Sequence, residues 1–189
     1  MQPVELSEIC NIAEYELERP QWRPQVLAIK ERRRIPLGDN LTFLFENRET
    51  VRYQIQEMMR IERIVQPEAI AHELRTYNEL IPQGGELSAT LLIEYPTVEE
   101  RDVMLRRLLG LERHLWLAVA DRPPVAARFD TRQMATDRIS SVQYVKFPLS
   151  EEQRRRWKEG ARLIADHPAY RAERTLLSAE LDELAADLR

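Results

Sequence analysis

Glycine is scarce in this chain, with 5 in 189 residues. None stands in a Gly-x-Gly-x-x-Gly turn, a P-loop or a Gly-x-Ser-x-Gly elbow, which removes the usual nucleotide and serine-hydrolase signatures. There is one cysteine, Cys10. A single chain can therefore build no disulfide, no cysteine-ligated cluster and no cysteine zinc site. The three histidines, His72, His114 and His167, supply a metal centre poorly. No metal and no cofactor is expected. Basic excess is missing too. The formal net charge is −4, and acidic neighbours dilute the runs Arg32–Arg34 and Arg154–Arg156, so no nucleic-acid partner is expected. No apolar run approaches the roughly 18 residues of a membrane helix, and MQPVELSEIC lacks the basic flank and apolar core of a signal peptide. Those two absences predict a cytoplasmic protein with no membrane partner.

What is present is an ordinary globular composition, 43% hydrophobic and 32% charged, long enough for one domain over 1–189 with a real core. Residues 1–20 read as a loose N-terminal segment. Pro24 is placed to open a helix to about Arg34. Leu41 to Glu46 reads as a buried strand. Thr50 to Ile64 and Pro67 to Ile81 read as helices. Leu87 to Tyr95 is a strand, and Thr97 caps a helix from Val98 to Leu109. Strands follow over Leu115–Ala120, Val125–Asp130 and Val142–Phe147, with a loop or flap over 131–140. Ser150 and Gln153 form a capping-box pattern for a helix to about Glu159. Ala161–Ala165 is a sixth strand candidate, Asp166 to Tyr170 a turn, and Ser178 a cap for a short last helix. Few full helical crossovers separate the later strands. The expected class is α+β, a largely antiparallel five- or six-stranded sheet with helices packed mainly on one face.

The densest information lies between Phe43 and Pro82. At about 100° per residue, Val51, Ile55, Met58 and Glu62 fall on one stripe of their helix. If that stripe faces the sheet, Glu62 is a buried or half-buried carboxylate that must be paired, hydrogen-bonded or protonated. It is the candidate acid/base. Glu46, Arg48, Gln54, Glu57 and Arg63 crowd the same stretch, and Tyr77 joins them from the next helix. These six are the candidate binding residues, with Arg48 suited to clamp an anion. Glu68 and His72 share an exposed face four residues apart, which is half a metal site at best.

The strings Phe45-Glu46-Asn47-Arg48-Glu49-Thr50-Val51, Gln54-Ile55-Gln56-Glu57-Met58 and Glu62-Arg63-Ile64 resemble an uncharacterised bacterial family of unknown function. Glu73-Leu74, Thr76-Tyr77-Asn78, Leu80-Ile81-Pro82, Glu86 to Leu91 and Asp166-His167-Pro168-x-Tyr170-x-Ala172 are similar to it as well, so the resemblance spans most of 15–175. Members are often encoded beside a rubrerythrin-like protein and a cysteine-rich iron–sulfur protein. The resemblance implies an accessory protein that contacts a redox partner in oxygen or peroxide defence or electron transfer. It assigns no catalytic residue. The competing reading is an enzyme or small-ligand binder built on Glu62 with arginine anion contacts.

Overall fold

The computed structural model describes residues 1–130, 132 and 137–189. Its helices are α1 (Ile12–Arg32), α2 (Arg48–Glu62), α3 (Pro67–Asn78), α4 (Val98–Arg107), α5 (Glu151–Arg155) and α6 (Ser178–Leu184). The strands are β1 (Arg34–Leu37), β2 (Leu41–Phe45), β3 (Glu86–Ile93), β4 (Leu115–Val119), β5 (Val125–Ala126), β6 (Arg128–Phe129), β7 (Val142–Pro148), β8 (Ala161–His167) and β9 (Tyr170–Thr175). They form two antiparallel sheets in the orders β1-β2-β3-β7-β6 and β5-β4-β8-β9.

The class is α+β, and the five-stranded sheet carries α2 and α3 against one face. Its other face is covered by the second sheet, which the sequence reading did not separate from the first. Alternation decides which side chain goes where. Leu41, Phe43 and Phe45 of β2, Leu87, Ala89, Leu91 and Ile93 of β3, and Val145 and Phe147 of β7 turn inward and meet Leu115, Leu117, Leu163 and Ala165 of the second sheet. The Phe43, Phe45 and Phe147 rings lie within 6.4 Å of one another, centroid to centroid. The chain passes between sheets at Ala127, whose N–H donates to the Leu115 carbonyl at 2.9 Å. At the opposite edge the Tyr170 hydroxyl donates to the Leu37 carbonyl at 2.6 Å. Gly38 permits that approach. It has φ 66°, and a Cβ there would lie 2.5 Å from the Tyr170 Oη.

Two strands escaped the sequence reading for identifiable reasons. In β1, Pro36 argues against a strand, yet β1 is an edge, where the missing N–H costs nothing. In β9, the sequence Tyr-Arg-Ala-Glu-Arg-Thr has little apolar content because this edge strand is largely exposed. Pro20 and Pro24 lie inside α1 instead of preceding it. Both are on its solvent side, where the carbonyls they leave unbonded can take water. Capping-box geometry at Ser150 and Gln153 is as expected, whereas α6 is capped from Leu177, with Ser178 as its first residue. Of the segment expected to be a loop or flap, residues 131 and 133–136 lie outside the described residues; Ile139 is buried in the core. Among the described residues, no helix is long and apolar enough to cross a membrane.

Candidate functional site

α2 is the hub of the helical layer. Asn47 starts it by accepting the Thr50 N–H at 2.9 Å, and Val51, Ile55 and Met59 bury their side chains against Leu74, Leu80 and Ile81. This spacing of four carries the buried stripe away from Met58, which is half-exposed. Glu62 still lies on the side of Val51 and Ile55, but it stands on the last turn, beyond the last buried residue, and is exposed; the expected buried carboxylate is not there. The helix stops at Arg63, which sits at φ 54° and closes onto the Met59 carbonyl. Arg48 and Glu62 are about 21 Å apart along the axis at 1.5 Å per residue, and Glu46 points inward. These three do not converge.

Glu46 is fully buried. The Thr90 hydroxyl donates to its carboxylate at 2.6 Å, and the Thr50 hydroxyl donates to the other oxygen. Its backbone carbonyl accepts from the Arg33 guanidinium at 3.1 Å. Arg33 is itself buried and pairs with Asp187, which returns from the C-terminal end of the chain. Burial pushes the Asp187 carboxyl up, against the pull of Arg33.

Two of the residues predicted to form a site, Arg48 and Glu57, instead hold the chain's own N-terminal segment, and Gln56 and Asn78 hold it with them. Residues 1–20, expected to be loose, lie along α2 and α3 with Val4 and Tyr15 buried. The Gln56 amide accepts the Cys10 N–H at 2.7 Å and donates to the Cys10 carbonyl at 3.2 Å. Asn78 does the same to Val4, at 2.8 and 2.9 Å. Each amide completes the backbone hydrogen bonds of a segment that has no strand neighbour. Arg48 donates to the carbonyls of Gln2 and Pro3 and pairs with Glu8, whose carboxyl it holds at about 2. The expected anion clamp is therefore spent on this strap.

Glu57 is the centre of the α1–α2 contact. It accepts the Tyr15 hydroxyl at 2.6 Å and the Arg19 guanidinium at 2.6 and 3.0 Å, and Arg60 donates at 3.2 Å. Burial would raise its pKa, but the bonds from Arg19, Tyr15 and Arg60 outweigh that and hold it at about 2. Trp22 stands edge-on to both Tyr15 and Tyr53, with Arg52 over its ring at 4.7 Å. The spacing of Tyr15, Arg19, Trp22 and Val26 in steps of four, three and four could have revealed this face before the structure did. Gln54 and Tyr77 do come together, beside Tyr144 of β7. Burial pushes both phenols up, and the Gln54 amide opposes it. Tyr144 was missed, as were Ser88, Lys146 and Arg128 near it, although the alternation of residues 142–148 puts Tyr144 and Lys146 on one face.

The histidines take other places. His72 is exposed on α3, as expected. His167 is buried between the Leu109 carbonyl at 3.1 Å and the Ala169 N–H at 3.1 Å, which makes Nε2 the protonated nitrogen. His114 meets Asp166 at 3.0 Å. Among the described residues, no group of three or more His, Cys, Asp or Glu is arranged to hold a metal ion. Burial and Glu18 raise the Cys10 thiol, which keeps it out of its nucleophilic form.

One end of the layer exposes large apolar side chains. Leu17 is 81% exposed, Ile61 63% and Val65 64%. Arg60 reaches Glu16 at 3.6 Å, so the residues next to them in sequence, Ile61 and Leu17, occupy the same end of the layer.

Residues 3–188 match the model of a family described as Protein of unknown function (DUF3501). A crystal structure described as a novel protein of unknown function, from Burkholderia pseudomallei K96243, has 32% sequence identity with this chain, and the alignment covers 100% of both chains with a TM-score of 0.93. Comparison with curated proteins gave no match.

Proposed function

The chain belongs to the family Protein of unknown function (DUF3501), and we propose that it works as a cytoplasmic accessory protein whose helical layer docks a protein partner. The observation that carries this reading is the group of exposed Leu17, Ile61 and Val65 at one end of the helical layer. Large apolar side chains gathered on a polar surface favour contact with another protein. Arg63, held in a left-handed conformation between Ile61 and Val65, fixes how that corner projects. The class of partner comes from the resemblance given above: a rubrerythrin-like or iron–sulfur protein, which would carry the redox centre that a chain with one cysteine does not supply.

The test is native mass spectrometry of the protein isolated without air from its host, beside the double variant Ile61→Asp, Val65→Asp. The expected result is a metal-containing protein bound at fixed stoichiometry to the wild type and absent from the variant. A wild type that carries no protein, or a partner retained in full by the variant, overturns the reading.

A further inference from the structure

The helices do not cover the outer face of the five-stranded sheet as far as its β6 edge. Between the end of α3 and strands β3, β7 and β6 they leave a cavity of about 460 Å³. Register aligns its polar lining. Ser88 lies opposite Lys146, and Lys146 opposite Arg128. Side chains directly opposite share a face, so these three form one row across three strands. The next row along the same face has Thr90 opposite Tyr144. Leu80 and the Tyr144 ring add an apolar wall.

Two members of this lining have unmet bonding capacity. Ser88 is 1% exposed, and its hydroxyl has no hydrogen-bond partner. A buried hydroxyl left so costs about 1–3 kcal/mol. Arg128 has no carboxylate within 4.0 Å among the described residues. Its neighbours are satisfied: Lys146 pairs with Glu86 at 2.6 Å, and Arg132 pairs with Asp130 at 2.8 Å and with Glu79. The cavity thus offers one free cation at its edge and one free hydroxyl at its floor. At about 4.8 Å per strand, their backbones are roughly 10 Å apart.

We propose that this cavity is a binding site for a small organic monocarboxylate whose far end carries a hydrogen-bonding group. The carboxylate pairs with Arg128, the body lies on Tyr144 and Leu80, and the polar tail meets the Ser88 hydroxyl. One unpaired cation matches one negative charge. A phosphate dianion would face Asp130 and Glu79 with a charge left over. This site is separate from the Ile61–Val65 corner and does not depend on the docking reading.

The probe is 4-hydroxybenzoate, titrated into isotope-labelled protein and followed by amide chemical shifts. Benzoate and 4-hydroxybenzamide serve as controls. The expected result is saturable shifts confined to the neighbourhood of residues 88, 128, 144 and 146, with no response to the neutral amide. Arg128→Gln, a change at an exposed position, weakens 4-hydroxybenzoate by at least about tenfold, the scale of one charge-assisted bond. Ser88→Ala weakens 4-hydroxybenzoate and leaves benzoate unchanged. Absence of saturable shifts at millimolar probe, equal binding by Arg128→Gln, or equal binding of the neutral amide overturns the proposal.

Discussion

Replacing Glu57 by glutamine keeps the shape of the side chain and an acceptor for Tyr15, but removes the charge that Arg19 and Arg60 bind. The fall of the Glu57 pKa from 4.5 to about 2 corresponds to roughly 3 kcal/mol of stability, at 1.36 kcal/mol for each tenfold change in proton affinity. A depressed carboxylate contributes that stability in full above its unfolded pKa and loses it as pH falls through the folded one. The window here is therefore about 4.5 down to about 2. Urea unfolding of wild type and Glu57→Gln measures the gap directly. It should be roughly 3 kcal/mol at pH 7 and about half that at pH 3. The m-values should agree, since the variant removes no buried area. A gap below about 1 kcal/mol at pH 7, or one that does not shrink in acid, would mean that Arg19 and Arg60 do not hold an ionised Glu57, and the account of the α1–α2 contact would fail.

Gln56→Ala leaves the Cys10 N–H and carbonyl without their partner, costs about 1–3 kcal/mol, and should speed amide exchange over residues 4–11 well before it affects the sheets, as hydrogen-exchange mass spectrometry would show. Arg33→Met strands the buried Asp187 carboxyl and should cost about 3–5 kcal/mol in a denaturant melt; a cost under about 1 would show that the pair is not buried as described. Glu62→Gln should change stability by no more than about 0.5 kcal/mol, because the side chain is exposed; a larger loss would restore the buried carboxylate that the helical stripe suggested.

The α+β class, the helices α2 and α3 and the inner strands were readable because burial writes a period into the sequence. Leu-Thr-Phe-Leu-Phe and the alternation of β3 could be strands and little else. The second sheet was not readable as separate, since β4 and β8 carry the same apolar content whether they extend one sheet or pack on another. Edges were hardest: β1 carries a proline, and β9 is polar on its solvent side. At the site, the end of the helix decided the outcome: Glu62 lies on the buried face but past the last residue that packs. Periodicity alone carries the stripe on to Glu62, whereas the contacts with Leu74, Leu80 and Ile81 stop at Met59. Of the polar residues crowded between 46 and 63, Arg48, Gln56 and Glu57 bind the first twenty residues of the same chain. No local pattern names a partner 46 or 74 positions away, which is the separation at Gln56 and Asn78.

Those separations also set an order of events during folding. The strap is synthesised before its partners, and it has nothing to bind until Gln56 and Asn78 exist. Arg33, in turn, waits 154 residues for Asp187. Contacts closed over such spans are slow to form, and no nascent chain that stops short of Asp187 can contain the Arg33 pair. The N-terminal segment packs over α2 and α3, and the C-terminal one packs at Arg33. Removal of even the last few residues should therefore loosen the middle of the molecule, not merely fray its end.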